Sequence, residues 1–262
     1  MSASARFQHS KIDGIAVRWH RAGDGRTVLI MHGWGANLEA VAPIIGALQP
    51  RAEALALDMP GFGESSPPPN RWTSADYARF VKAFLAAQGV SELDLIGHSF
   101  GGRVAICLAA DPGPIQIGRL VLVDAAGLRP RRRPSYYFKV CLAKGGRLIG
   151  LLGTPGERLQ ERLRQKLGSA DYLNAGEAMR ETFRAVIAED LEELLGKIKS
   201  PTLLVWGSRD EETPMWMARR MENKIQNAGL VVLDGGHFSY ADQPQQFTQI
   251  VNLFLVEQER DD

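Results

Sequence analysis

The stretch Gly97-His98-Ser99-Phe100-Gly101 sets one hydroxyl between two glycines, at the junction of the apolar run Leu93 to Ile96 and a helical pattern from Arg103 to Ala110. On such a strand-to-helix turn the chain reverses within one or two residues, and only small neighbours let strand end and helix start approach closely. Ser99 would then stand at the mouth of a sheet with the helix's first N–H groups beside it. A serine hydroxyl is scarcely ionised near neutral pH, so nucleophilic chemistry there requires a base within hydrogen-bond reach.

Five histidines could supply that base: His9, His20, His32, His98 and His237. His237, in Asp-Gly-Gly-His-Phe-Ser-Tyr just after an apolar run, would lie on a loop at the C-terminal edge of a sheet, beside Ser99. His98 adjoins Ser99 in sequence but should point away from it. A base of this kind needs a carboxylate to hold its tautomer. Asp210, in Trp-Gly-Ser-Arg-Asp-Glu-Glu-Thr-Pro, follows the preceding apolar run and is the first candidate, with Asp124 the rival and Glu211 and Glu212 behind. Asp58 reads instead as a structural carboxylate fastening the tight Pro60-Gly61-Phe62-Gly63 loop.

The elements that would position these groups are short apolar runs alternating with helical patterns. The runs are Val28 to Gly33, Glu53 to Pro60, Leu93 to Ser99, Arg119 to Gly127, Thr202 to Asp210 and Leu230 to His237. Between most of them apolar residues recur at helical spacing, as in Tyr77, Phe80, Val81, Phe84 and Leu85. Apolar strands alternating with helices predict an α/β fold: a mostly parallel, doubly wound sheet covered on both faces. The stretch Gly14 to Gly23 should add an antiparallel hairpin at one edge. The interval from Gly127 to Thr202 is far longer than a crossover needs and is helical in pattern, which predicts an inserted helical cap over residues 128–199 within a core of 1–127 and 200–262. Its entry, Arg129 to Pro134, is strongly basic and runs into Tyr136, Tyr137 and Phe138. It reads as a solvated entry loop, with recognition of an anionic group as the second reading.

A formal net charge of +1 gives no reason to expect a nucleic-acid partner. No apolar run reaches the roughly 18 residues of a membrane span, and the N-terminus carries no signal-like segment, so a cytoplasmic location is expected. Cys107 and Cys141 form neither a disulfide framework nor a metal site, and no cofactor is expected.

Taken together, His32 to Gly35, Asp58 to Ser65, Gly97 to Gly102, Trp206 to Asp210 and Gly235 to His237 resemble the motifs of the α/β-hydrolase superfamily, in the order Ser, Asp, His. That resemblance spans nearly the whole chain. It implies Ser99 as nucleophile, His237 as general base and acid, and Asp210 as its partner. It also implies an oxyanion hole formed by the backbone N–H groups of Trp34 and Phe100. The implied activity is hydrolysis of a small or medium carboxylic ester or thioester through an acyl-enzyme, on a small-molecule acyl substrate. The pocket would be walled by Trp34, Phe100, Tyr136, Tyr137 and Phe238. Relatives that dehalogenate alkanes or open epoxides carry an aspartate nucleophile, which Ser99 argues against. Carbon-carbon bond hydrolases of ring-fission products are an alternative, although they tend to have tryptophan where this chain has Phe238 and asparagine where it has His98. A ligand-sensing receptor with slow turnover is another. The sequence does not indicate an oligomeric state.

Overall fold

The computed structural model describes residues 7–48, 51–129 and 176–255. Eight strands form one sheet: β1 (Gln8–Ile12), β2 (Ile15–Ala22), β3 (Thr27–Met31), β4 (Glu53–Leu57), β5 (Glu92–His98), β6 (Gln116–Val123), β7 (Thr202–Gly207) and β8 (Ala228–Leu233). Their order is β1-β2-β4-β3-β5-β6-β7-β8. β2 pairs antiparallel with both β1 and β4, and every pairing from β4 to β8 is parallel. The edge hairpin expected before Gly23 is therefore β1 and β2. Its turn is Asp13-Gly14, both at positive φ (48° and 84°), the conformation that Asp-Gly supplies in tight hairpins.

The central strands read as unbroken apolar runs because both faces are covered. Leu29, Met31, Leu55, Leu57, Leu122, Leu204 and Trp206 join one core with α2 (Ser74–Ala87) and α3 (Phe100–Ala110). Their alternates Val28, Ile30, Ala54, Ala56, Val121, Val123 and Val205 join a second core on the opposite face. That core includes α1 (Ala42–Leu48) and α8 (Pro244–Leu255). Successive strand residues point to opposite faces, so a doubly covered sheet needs apolar residues at every position. The helix predicted from Tyr77 to Leu85 is α2, whose buried face holds those five residues. Its start is fixed by a capping box in which the Thr73 hydroxyl accepts from the Asp76 N–H and the Asp76 carboxylate accepts from the Thr73 N–H at 2.8 Å.

Within the long interval before β7 the described helices are α4 (Glu177–Ala188) and α5 (Glu192–Leu195). α4 is fastened to the core at three points. Thr182 Oγ1 accepts from the Trp72 N–H at 3.0 Å, Met179 touches Gly61, and the Glu189 carboxylate just past the helix accepts from the Ser74 N–H at 3.0 Å. The other helices among the described residues are α6 (Met215–Lys224) and α7 (Ser239–Asp242). Tyr136, Tyr137, Phe138, the basic run Arg131 to Arg133, Cys141 and most of the expected 128–199 cap lie outside the described residues. Cys107 is buried in the core that α3 shares with the sheet. Among the described residues no helix is long and apolar enough to cross a membrane.

Candidate active site

Ser99 stands between the last residue of β5 and the first of α3, at φ 50° and ψ −110°. A non-glycine residue at positive φ outside the left-handed helical well costs on the order of 1–3 kcal/mol and persists only where its surroundings hold it. The holding contacts are specific. Ser99 N–H donates to the Val123 carbonyl at 3.1 Å, and its own carbonyl accepts from Gly102 and Ala126, each at 3.0 Å. The flanking glycines are required by space: a Cβ on Gly97 would lie 2.6 Å from the Gly101 carbonyl oxygen, and one on Gly101 would strike the Met31 carbonyl.

His237, on the loop after β8, reaches Ser99. Its Nε2 lies 2.9 Å from Ser99 Oγ and its Nδ1 2.9 Å from Asp210 Oδ2. Asp210, just past β7, has a fully buried carboxylate that receives three further hydrogen bonds. Thr213 Oγ1 donates to Oδ2 at 2.6 Å, while the Glu212 and Thr213 N–H groups donate to Oδ1 at 2.8 and 2.9 Å. Burial alone would raise its pKa, but the hydrogen bonds from His237 and Thr213 hold the carboxyl below the usual range. For His237 burial acts to lower the pKa, and the Asp210 hydrogen bond with the charges of Asp210, Glu212 and Asp124 outweighs it. The net displacement is upward. An ionised Asp210 accepts from Nδ1–H, which leaves the Nε2 lone pair toward Ser99.

The other histidines have different duties. His98 Nε2 lies 2.8 Å from the His237 carbonyl oxygen. Burial pushes its pKa down to about 3, so the ring is neutral and donates Nε2–H to the loop that carries His237. The sequence expectation that His98 faces away from Ser99 thus misses a supporting bond to the neighbouring loop. His32 is also buried. Its Nδ1 donates to the Gly33 carbonyl at 2.7 Å, and its Nε2 accepts from the Met59 N–H at 3.0 Å, fastening the loop after β3 to the loop after β4. His9 and His20 lie on β1 and β2, at the antiparallel edge. Asp58 fastens the turn after β4 by accepting from the Leu38 and Glu64 N–H groups at 2.7 and 3.0 Å.

Phe100 follows Ser99 as the first residue of α3, and Trp34 lies on the loop after β3. Among the described residues neither backbone N–H has a hydrogen-bond acceptor, as expected for Phe100 in the first turn of α3. The Trp34 ring packs against Phe62, Phe100 and Phe183 at centroid distances of 4.8, 5.2 and 5.0 Å, so α4 contributes to the wall beside Ser99. Phe100 itself is 3% exposed and packs on Tyr77. Its ring backs the wall from below. Phe238 is 45% exposed and lies 5.6 Å from the His237 ring.

Sequence reasoning misses Thr213 altogether and takes Glu212 and Asp124 only as alternatives to Asp210. Thr213 is the third residue after Asp210, a spacing typical of a side chain bonding a nearby loop carboxylate. Glu212 places Oε2 3.4 Å from His237 Nε2, and nothing in its neighbours marks it apart from Glu211. Asp124, the rival acid, instead accepts from the Gly207 and Ser239 N–H groups at 2.7 and 3.0 Å. Among the described residues no cluster of three or more His, Cys, Asp or Glu side chains could hold a metal ion.

The chain is 30% identical over 267 residues to the dihydrolipoyllysine-residue acetyltransferase component of an acetoin cleaving system from Cupriavidus necator, covering 97% of this chain and 70% of that protein. It is 31% identical over 255 residues to a poly(3-hydroxyalkanoate) depolymerase from Ectopseudomonas oleovorans, covering 89% and 85%. Among solved structures it resembles a membrane phospholipase A described as a bacterial virulence factor, with a TM-score of 0.77, 26% identity, and coverage of 99% and 88%. With residues 26–244 matching the family described as alpha/beta hydrolase fold, and the sheet, elbow and loop order already in place, this chain belongs to that hydrolase superfamily.

Proposed function

We propose that the protein is a serine hydrolase that cleaves small or medium carboxylic esters, or thioesters, through an acyl-enzyme. The observation that carries the reading is the continuous relay from Ser99 Oγ through both nitrogens of His237 to Asp210, each step 2.9 Å. Ser99 attacks the acyl carbon while His237 Nε2 takes its proton. The imidazolium formed is stabilised by Asp210 and then returns the proton to the leaving oxygen or sulfur. Water repeats the cycle on the acyl-enzyme. The N–H groups of Trp34 and Phe100 serve as donors to the oxyanion, where losing one donor typically costs about 3–4 kcal/mol. The names of two reported relatives, a depolymerase and a phospholipase, point the same way.

Residues 128–199 serve as the cap over this site in the same reading. Support comes from Phe183 and Met179 of α4, which close on Trp34 and Gly61 at the edge where Ser99 stands. The pocket is then walled by Trp34, Phe100 and Phe238 from the core, with Tyr136 and Tyr137 assigned to it from the sequence alone.

The test is fluorophosphonate labelling followed by peptide mass spectrometry, together with steady-state turnover of short and medium p-nitrophenyl esters. The expected result is a single adduct on Ser99, many turnovers per molecule, and no turnover in Ser99→Ala. An adduct elsewhere, or a single burst without further turnover, overturns the proposal; the burst is what a receptor would give.

A further inference from the structure

Asp124 is a buried carboxylate outside the relay that bonds the backbone of both elements bearing Asp210 and His237. Its side chain is fully buried at the C-terminal end of β6, with backbone φ at 44°. Oδ1 accepts from the N–H of Gly207, the last residue of β7 before the Asp210 turn, and Oδ2 accepts from the N–H of Ser239, two residues past His237. Its own carbonyl oxygen lies 3.0 Å from Thr213 Oγ1, whose single proton is shared between it and Asp210 Oδ2 at 2.6 Å. On either side of it, Val123 and Ala126 hold the Ser99 backbone. Asp124 thus occupies the point where the three site-bearing segments meet.

We infer that Asp124 is a positioning residue for the relay: as a carboxylate it fixes the His237 loop relative to the Asp210 turn, and when protonated it releases one of those two attachments. The inference rests on the serine-hydrolase reading above. A carboxylate offers an acceptor oxygen to each N–H, whereas a carboxylic acid turns one oxygen into a donor facing an N–H donor. Both relay contacts sit at 2.9 Å, and a shift near 1 Å in such a contact costs on the order of 100-fold in rate.

The groups that face Asp124 set where this release occurs. Burial pushes its carboxyl up to about 7, the hydrogen bonds from Ser239 and Gly207 offset part of that, and the Asp210 charge raises it further. His237 and Tyr240 are the other titratable groups that feel its charge. Tyr240 is itself pushed up to about 12 and stays neutral. Lowering pH therefore protonates both Asp124 and His237, whose pKa is itself raised by the Asp210 bond and the surrounding charges, and each loss of the working form lowers kcat.

The experiment is a pH profile of kcat on a p-nitrophenyl ester for the parent, Asp124→Asn and Ser99→Ala, with melting temperatures recorded alongside. The parent's acidic limb should approach a slope of two in log kcat against pH. In Asp124→Asn the limb should fall to a slope of one, with kcat reduced on the order of 100-fold and KM little changed. A parent limb of slope one overturns the inference, and this measurement needs no variant to fold. So does Asp124→Asn with parental kcat and profile. In both cases an inactive Ser99→Ala leaves the serine reading standing, while an active Ser99→Ala overturns that reading and the inference together.

Discussion

Replacing Asp210 by asparagine keeps the shape of the side chain and removes its charge. Four donors converge on this carboxylate: Nδ1 of His237, Oγ1 of Thr213, and the N–H groups of Glu212 and Thr213. An asparagine that keeps its oxygen toward the two N–H groups turns its amide nitrogen toward His237 and Thr213. Two charge-assisted hydrogen bonds are then lost, each worth about 1.5–3 kcal/mol. A combined loss of about 3–6 kcal/mol corresponds to roughly 10²- to 10⁴-fold in rate. The loss should appear in kcat, because the imidazolium that Asp210 stabilises forms only as the reaction proceeds.

The pH dependence gives a second, independent reading of the same substitution. The proposed mechanism requires neutral His237. In the parent its pKa lies above the usual value, since the Asp210 bond and surrounding charges outweigh the lowering by burial. With Asp210 neutral the burial remains and the largest opposing contribution is gone, so the acidic limb of kcat/KM should move to lower pH. Asp124, whose pKa the Asp210 charge raises, moves in the same direction. Stability has the opposite sign. A histidine whose folded pKa exceeds its unfolded value contributes stability that is fully present below about pH 6.5 and is lost as pH rises through the folded pKa. Asp210 stays ionised across that window. The melting-temperature gap between parent and Asp210→Asn should therefore be wider at about pH 5.5 than at about pH 9. Stopped-flow or plate assays on a p-nitrophenyl ester with paired thermal melts measure all three. A kcat within tenfold of the parent at an unchanged acidic limb would refute the reasoning, as would a larger loss from Asp124→Asn at equal stability.

Gly101→Ala tests the elbow by volume. Its Cβ would strike the Met31 carbonyl and lie 2.8 Å from that of His32, both backbone atoms of the neighbouring strand end, so destabilisation of at least about 1–3 kcal/mol should appear as a lower melting temperature. An unchanged melt would mean that α3 can shift freely against β3. Phe183→Ala tests the wall supplied by α4: it removes a ring 5.0 Å from Trp34, and the pair is worth about 0.5–1.5 kcal/mol beyond its area. Across an ester panel, KM should rise for the preferred acyl group and selectivity broaden while kcat holds within a few-fold; unaltered selectivity would place specificity in the core loops alone.

The parallel sheet was readable because its burial is so uniform. Runs such as Leu120 to Val123 and Leu203 to Val205 are apolar at every position, which only a strand covered on both faces requires. β1 is different: Gln8–Ile12 is polar and largely exposed, so no pattern announces it, and it pairs because the Asp13-Gly14 turn folds it back on β2. In the site, the three groups of the relay were readable because each follows an apolar run, and a run's C-terminal end in such a sheet is a fixed place. Thr213, Glu212 and the bond from His98 were not readable in this way. Their roles depend on which way a loop side chain turns, and loop text carries no period from which that could be inferred. Asp124 shows the limit most clearly, since sequence position alone made it a rival of Asp210. Hydrogen bonding separates them: of the two, Asp210 lies 2.9 Å from His237 Nδ1, while Asp124 is occupied by two N–H groups, which supports the proposed assignment.

Backbone strain in this molecule is concentrated where those assignments meet. Among the described residues only three non-glycine positions have positive φ: Asp13, in a hairpin turn that suits it, and Ser99 and Asp124. The latter two are the residues immediately beyond His98 and Val123, which are register partners at the ends of β5 and β6. Two adjacent strands therefore each run into a residue at positive φ, side by side. Ser99 N–H donates to the Val123 carbonyl and the Ala126 N–H returns to the Ser99 carbonyl, so the turn at Asp124 is bracketed by bonds to the strained serine. Rotating Ser99 into an ordinary well would move the N–H and carbonyl that make these bonds. A fold that had only to be stable would have no use for this arrangement, since each position costs on the order of 1–3 kcal/mol. What it secures is a hydroxyl lifted clear of the sheet edge and a buried carboxylate turned back toward the two neighbouring loops. Those are the two placements that the proposed chemistry needs from β5 and β6.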